Sequence, residues 1–300
     1  VELLSFTPQT VKSHWLPMQE ARVLPIGDIQ FGSSTDVDRL QRYIEWGQKH
    51  QVYYVGMGDY VDCASPSNRK LLTGIRGSLY DSVRLMMDER VGQYVEEVWE
   101  LLKPTKGRWL GLLRGHHTWE FEDGTSTESR LAERLKCPML GDCAVMILRF
   151  RRPVGVNLTG SRKGGIQGAQ NLDVKLWLHH GTGGGTTEGA ALNRLSQITR
   201  TMFANVYIMA HTHQRAAKPI PWIDFKVGSS GSVRSTGTTR YLVLAGSWLK
   251  AYDAGSTNPR GEPAGSYVEQ KMLNPLALGA PLIMMRPVWS ERRVDVTVNV

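Results

Sequence analysis

Five apolar runs in this chain stop abruptly at acidic or imidazole side chains, and this repeated punctuation constrains the fold more than any other feature. Val23 to Ile26 runs into Gly27-Asp28-Ile29-Gln30, and Val52 to Met57 into Gly58-Asp59-Tyr60-Val61-Asp62. Trp109 to Leu113 precedes Gly115-His116-His117, Val174 to Leu178 precedes His179-His180-Gly181, and Val206 to Met209 precedes His211-Thr212-His213. Short apolar runs bounded by glycine and polar residues read as buried strands. Side chains just past strand ends gather at one sheet edge, where ligands and catalytic groups are usually held. A buried carboxylate without a cation is costly, so a shared metal centre accounts for all five segments together.

Helical spacing fills the gaps between these runs. Asp36 to Lys49 reads as a helix with Val37, Leu40, Ile44 and Trp46 on its apolar side and Thr35 or Asp36 as its cap. A second runs from about Leu79 to Leu102, with Met86, Val91, Val95 and Val98 recurring at helical spacing, and Ser129 to Lys136 is a shorter one. Strands return from Asp142 to Phe150 and near Leu242 to Leu244. Pro281 to Val300 reads as two strands, with Val294, Val296, Val298 and Val300 alternating as in a half-buried antiparallel strand. Such an order implies an α/β fold, expected as one catalytic domain over 1–300 with Gly255 to Ala280 as a long excursion before the closing strands. Glycine-rich stretches lie at 159–170, 181–189 and 228–237. Ser65 to Lys70 reads as a substrate-shaping loop in which Arg69 would contact phosphate.

In order, residue type and strand-end context, the five polar segments resemble the calcineurin-like metallophosphoesterase superfamily, whose pattern runs D-x-H, G-D-x-x-D, G-N-H, H and G-H-x-H. The resemblance implies two packed β-sheets flanked by helices, a four-layer αββα sandwich, with two divalent ions at the sheet edge. Position by position, it implies Asp28, Gln30 and His213 around one ion and His116, His179 and His211 around the other. Asp59 would bridge them with one oxygen to each. Manganese is the first candidate, followed by zinc, iron, nickel or magnesium. His117 would be the general acid and Asp62 the carboxylate that orients it.

Gln30 stands where the pattern has histidine and His116 where it has asparagine, exchanges that alter metal preference because oxygen donors suit Mg²⁺ and Mn²⁺ and imidazole suits Zn²⁺ and Fe. Gln30 is a ligand or a backbone hydrogen-bond donor; His116 is a ligand or a phosphate contact. The residues alone leave His179 and His180 open. Relatives with paired histidines here use the first, which favours His179 as the ligand and His180 as a substrate-binding residue. The Asp62/His117 pair also resembles the dyad of serine/threonine protein phosphatases, but those follow this motif with Arg-Gly and this chain has Cys63-Ala64.

Charge bears on substrate class. Thirty-six Lys and Arg against 28 Asp and Glu leave a formal charge of +8, which draws polyanions without conferring sequence specificity. Arg149-Phe150-Arg151-Arg152, Ser161-Arg162-Lys163 and Arg292-Arg293 are local basic clusters. Three cysteines are too few and too unpatterned for a disulfide framework, no apolar run reaches the ~20 residues a bilayer needs, and the first residues lack the shape of a signal peptide. A cytoplasmic hydrolase is therefore expected, with a phosphoester substrate, DNA or RNA included, and no membrane partner. A phosphodiesterase or nuclease is the first expectation. A phosphomonoesterase and a non-catalytic binding protein are the alternatives.

Overall fold

The computed structural model describes residues 11–17, 19–64, 66–152, 170–183, 187–227, 231–252, 255–258, 260–265, 267–270, 272 and 274–300. Twelve strands and six α-helices follow in chain order: β1 (Val11–Leu16), β2 (Ala21–Ile26), α1 (Val37–Lys49), β3 (Tyr53–Gly56), α2 (Pro66–Ile75), α3 (Asp81–Leu102), β4 (Trp109–Leu113), α4 (Thr127–Leu135) and β5 (Met139–Gly141). The second half continues with β6 (Cys143–Arg152), β7 (Gln170–His179), α5 (Glu188–Ile198), β8 (Val206–Met209), β9 (Arg215–Val227), β10 (Val233–Ala245), α6 (Tyr267–Gln270), β11 (Leu282–Val288) and β12 (Arg293–Asn299). They form two six-stranded sheets, ordered β1-β6-β7-β8-β10-β9 and β12-β11-β2-β3-β4-β5.

Strand alternation decides the layering. In β6, Ala144, Met146, Leu148 and Phe150 face the other sheet; in β7, Leu172, Val174, Leu176 and Leu178 do the same, with Met146 opposite Leu176 and Leu148 opposite Val174. Val23 of β2, Val55 of β3, Val206 and Ile208 of β8, and Ile283 and Met285 of β11 complete this core between the sheets. The opposite face of the second sheet, with Leu24, Ile26, Tyr54, Trp109 and Leu112, is covered by Leu40 and Ile44 of α1, Val91, Val95 and Val98 of α3, and Leu131 and Leu135 of α4. Trp177, Tyr207, Leu242 and Leu244 on the outside of the first sheet pack against Ala191 and Leu195 of α5. The result is helix, sheet, sheet, helix, as expected of the αββα sandwich. No described helix is long and apolar enough to cross a membrane.

Several expectations are corrected. Trp46, assigned to the apolar side of α1, is 39% exposed and rests on His50, because its position turns off the stripe made by Leu40 and Ile44. Asp36 caps α1 through Arg39 N, whereas the Thr35 hydroxyl donates to the Ile29 and Gln30 carbonyls. Of the segment read as a loop at 65–70, residues 66–70 are the start of α2: Pro66 stands at the first helical position, where its missing N–H costs nothing. Met86, read at helical spacing with Val91, Val95 and Val98, is exposed, and α3 is buried only from Val91 onward. Residues 233–237, read as part of a glycine-rich break, are strand, pairing with β9 in a 13-residue antiparallel ladder from Val233↔Val227 to Ala245↔Arg215. The stretch 159–169 and the cluster Ser161-Arg162-Lys163 lie outside the described residues, as do residues 184–186.

Candidate metal centre

Parallel pairing brings the ends of β2, β3 and β4 together in one sheet, and β7 and β8 end beside them in the other. Five of the nine described non-glycine residues with positive φ sit at this edge: Asp28 (+48°), Gln30 (+48°), Asp59 (+55°), His211 (+68°) and His213 (+58°). Such backbone costs roughly 1–3 kcal/mol per residue and persists only where the surroundings enforce it. Here they do. Asp28 N donates to Gly58 O at 3.0 Å, Gln30 N to Asp59 O at 2.9 Å, Trp248 N to Asp28 O at 3.1 Å and Ala210 N to His180 O at 2.9 Å, so the loops of both sheets are tied to one another.

Two carboxylates form the floor. Asp28 is fully buried and Asp59 is 1% exposed. Each is anchored through one oxygen: Asp28 Oδ2 accepts from His211 N at 3.0 Å and Asp59 Oδ1 from His117 N at 2.7 Å. The other oxygens are buried and face imidazole nitrogens, Asp28 Oδ1 at 3.4 Å from His213 Nε2 and Asp59 Oδ2 at 3.1 Å from His180 Nε2. Donor atoms of Asp28, Asp59 and His180 lie within 4.8 Å of one another, and those of His116, His180 and His211 form a second such group. Of the two Asp59 oxygens expected to bridge the ions, Oδ1 accepts from the His117 peptide and Oδ2 faces His180 Nε2.

Gly115 is required by this packing: a Cβ there would lie 2.1 Å from Asp59 Oδ1 and 2.2 Å from Asp59 N. Gly58, at φ +97°, similarly leaves room for the His180 ring, whose Nδ1 would be 2.6 Å from an added Cβ.

The paired histidines part company at the strand end. His179 is the last residue of β7, stays on the face of Trp177, stacks on that indole at 5.6 Å, and accepts a hydrogen bond from Gly181 N through Nδ1 at 2.7 Å. His180 falls on the face of Leu178, toward the gap between the sheets. Its Nδ1–H donates to Met57 O at 2.7 Å, which aims Nε2 at Asp59 Oδ2, 3.1 Å away. The structure therefore brings His180 and not His179 into the clusters, opposite to the roles the resemblance implied. The alternation of β7 thus continues one residue past the strand.

His116 Nδ1 and His211 Nδ1 are 3.1 Å apart, with the His116 ring edge-on to both His180 and His211. Gln30 Nε2 is 3.2 Å from His213 Nε2, which is itself 3.4 Å from Asp28 Oδ1. His117 Nδ1 lies 2.8 Å from Asp62 Oδ1, and its Nε2 faces Asp59 Oδ2 at 3.9 Å. Arg69 belongs to α2, and its side chain lies outside the described residues.

Electrostatics sort these groups. Burial works against charge on Asp59, but His180, His117 and the His117 amide outweigh it and hold the carboxyl well below its ordinary pKa. Burial likewise opposes charge on His180, yet Asp59 and Asp28 raise it to about 9. Burial, with His116 and His180 close by, pushes His211 down to about 4; burial and His180 also lower His116. The last two are neutral imidazoles at pH 7, the form in which a ring nitrogen can bind a metal. Two buried carboxylates, the His180 ring nitrogen, which a cation would take in exchange for its proton, and two neutral imidazoles fit a divalent cation site.

Supporting residues without a sequence signal emerge only here. Tyr60 OH accepts from Gly58 N and donates to Leu113 O, both at 3.1 Å, clamping the ends of β3 and β4. Buried Glu128 accepts from Thr118 at 2.7 Å and Thr127 at 3.0 Å, holding the loop that carries His116 and His117. Ser247 Oγ donates to Asp28 O at 3.1 Å. Ser247 is 219 residues from Asp28, whereas Tyr60 lies within the Gly58–Asp62 segment itself.

No family model and no curated relative matches the sequence. Among solved structures, the chain is similar to a double mutant of Vps29 from Entamoeba histolytica, with 12% identity, a TM-score of 0.34, and 93% of this chain and 97% of that one covered. Vps29 from Chaetomium thermophilum gives 10% identity and a TM-score of 0.31 over 93% and 95% of the two chains. A conserved uncharacterized protein from Streptococcus pneumoniae, described as a predicted phosphoesterase, gives 9% and 0.31 over 93% and 98%. On its own topology the chain is an α/β sandwich, with two six-stranded mixed sheets between helices and acidic and imidazole groups at adjoining strand ends.

Proposed function

We propose that this protein is a metal-dependent phosphoester hydrolase that cleaves phosphodiesters, with nucleic acid as its substrate class. One observation carries the reading: the buried side chains of Asp28, Asp59 and His180 bring their donor atoms within 4.8 Å of one another beside a His117–Asp62 dyad. Asp28, Asp59, Gln30 and His213 would hold a cation on the oxygen-rich side, and Asp59, His116, His180 and His211 one on the nitrogen-rich side. The first set suits Mn²⁺ or Mg²⁺ and the second Zn²⁺ or Fe. Divalent ions there would supply positive charge for phosphoryl oxygens and acidify water toward neutrality.

The chain's own residues do the rest. In its imidazolium form His117 donates Nδ1–H to Asp62, which fixes the ring plane and points Nε2–H into the centre. From there it protonates the departing oxygen and remains as the neutral tautomer with Nδ1–H on Asp62. Thr118 and Glu128 keep this loop in place while the Asp59 carboxylate holds the His117 peptide. The surplus of eight positive charges supports a polyanionic substrate over a small neutral one.

The test is Mn²⁺-dependent cleavage of end-labelled single- and double-stranded DNA, run beside bis-p-nitrophenyl phosphate and p-nitrophenyl phosphate, with Asp59→Asn protein as the contamination control. Cleavage of DNA and the diester, lost in the variant, is expected. Turnover of the monoester alone would transfer the assignment to phosphomonoesters, and metal binding without any turnover would make the fold a binding module.

A further inference from the structure

A cavity of about 580 Å³ lies on the outer side of the second sheet, between α1 and the segment leading into β11; Leu24, Ala280 and Leu282 are among its apolar lining residues. Three arginines are among its lining residues: Arg39 and Arg42 from α1 and Arg215 from the start of β9. Arg39 Nη1 and Arg215 Nη1 both donate to the Leu278 carbonyl, at 3.4 and 2.9 Å, so the two cations flank a single neutral oxygen. Among the described residues one carboxylate answers them, Asp36 at 3.4 Å from Arg39 Nε. Arg42 and Arg215 form no ion pair among the described residues, and Arg215 Nε is buried with no hydrogen-bond partner.

Converging like charges of this kind are unfavourable unless an anion completes them, and the planar fork of arginine matches phosphate oxygens two at a time. The neighbouring rings add a second element. Tyr43 accepts from Arg215 Nη1 at 3.1 Å, and Trp46 lines the same cavity with 39% of its surface exposed. The Tyr43–Arg215 pair is accommodated by Gly279, at φ +117°, where a Cβ would lie 2.5 Å from Tyr43 Oη and 2.8 Å from Arg215 Nη1. The volume falls within the range of small-ligand sites, roughly 300–1,000 Å³.

We propose that this cavity binds a small phosphorylated molecule with a flat apolar body, for which a nucleoside monophosphate is the simplest form: phosphate on Arg39, Arg42 and Arg215, base against Trp46. The proposal does not depend on the reading of the metal edge. Its test is equilibrium binding of AMP, with adenosine and inorganic phosphate as partial ligands, to the metal-loaded full chain and to its Asp59→Asn variant. One saturable AMP site is expected in both proteins, with competition by inorganic phosphate and weaker binding of adenosine. Arg42→Gln should weaken AMP at least tenfold and Trp46→Leu at least threefold. Both positions are exposed, and an unchanged melting temperature would establish that each variant is folded. Absence of saturable AMP binding, or unchanged affinity in Arg42→Gln, would overturn the proposal. Binding lost in Asp59→Asn but intact in Arg42→Gln would also overturn it, by assigning the nucleotide to the metal edge.

Discussion

Replacing His180 by asparagine should empty the metal edge while leaving the fold in place. The asparagine amide can take over the Nδ1–H bond to Met57 O, a 2.7 Å contact, so the carbonyl keeps a donor and the loss is concentrated on Nε2. That nitrogen belongs to both donor groups, one with Asp28 and Asp59 and the other with His116 and His211, so both sites should weaken. If a four-ligand divalent site is worth roughly 10–16 kcal/mol, one ligand accounts for about 3 kcal/mol, on the order of a hundredfold in Kd. His179→Ala is the matched control. It removes the Gly181 N–H acceptor and the stack on Trp177, a cost of about 1 kcal/mol in stability, with metal affinity within roughly threefold of the parent. Competition against a chelator of known affinity reads both variants, with circular dichroism melts as the folding check. Metal lost from His179→Ala and retained by His180→Asn would refute the argument from strand alternation and hydrogen bonding.

Three further outcomes can be checked. Gly115→Ala should abolish tight metal binding and cost more than ~2 kcal/mol of stability, because its Cβ would intrude between the Asp59 carboxylate and backbone; a parent-like metal titration would contradict that packing. His117→Gln should lower turnover of an alkyl-leaving-group diester by roughly 10²–10⁴ and of an activated aryl diester far less, with metal content unchanged; equal losses on the two substrates would remove His117 as the proton donor. In chelator-treated protein, His180 is bound to its proton more tightly when folded (about 9) than at its ordinary value of 6.5, so its contribution is complete below about pH 6.5 and disappears as pH rises through about 9. The melting temperature of the apo protein should fall across that window, and a flat profile would mean that His180 is not held by Asp59 and Asp28.

Much of this architecture was legible because the runs that end in Asp28, Asp59, His116, His180 and His211 are also the runs that make the core. A strand such as β4, with Trp109 to Leu113 all buried, announces itself by composition, and β12 does so by alternation. The helix at Pro66 to Ile75 was missed because a short segment rich in Ser, Asn, Arg and Lys has no apolar stripe to advertise it. The β9–β10 hairpin was underread for a related reason: much of its length lies beyond the core, where Trp222, Ile223 and Phe225 are exposed and no burial pattern marks the faces.

What the sequence determined by itself was the set of ionisable groups and the strand each one follows, since local pattern and glycine punctuation suffice for both. Which of them meet was decided only by tertiary structure. His179 and His180 are chemically identical neighbours, and they differ because one faces α5's side of the sheet while the other is aimed by Met57 O at Asp59. Tyr60, Glu128 and Ser247 are invisible as supports until β3, β4 and the loop after β10 are packed. The cavity of Arg39, Arg42 and Arg215 likewise exists only because α1 and β9, far apart in the chain, place their cations around one carbonyl. Contacts between distant segments depend on the registry of two sheets against each other, and no local periodicity encodes that registry.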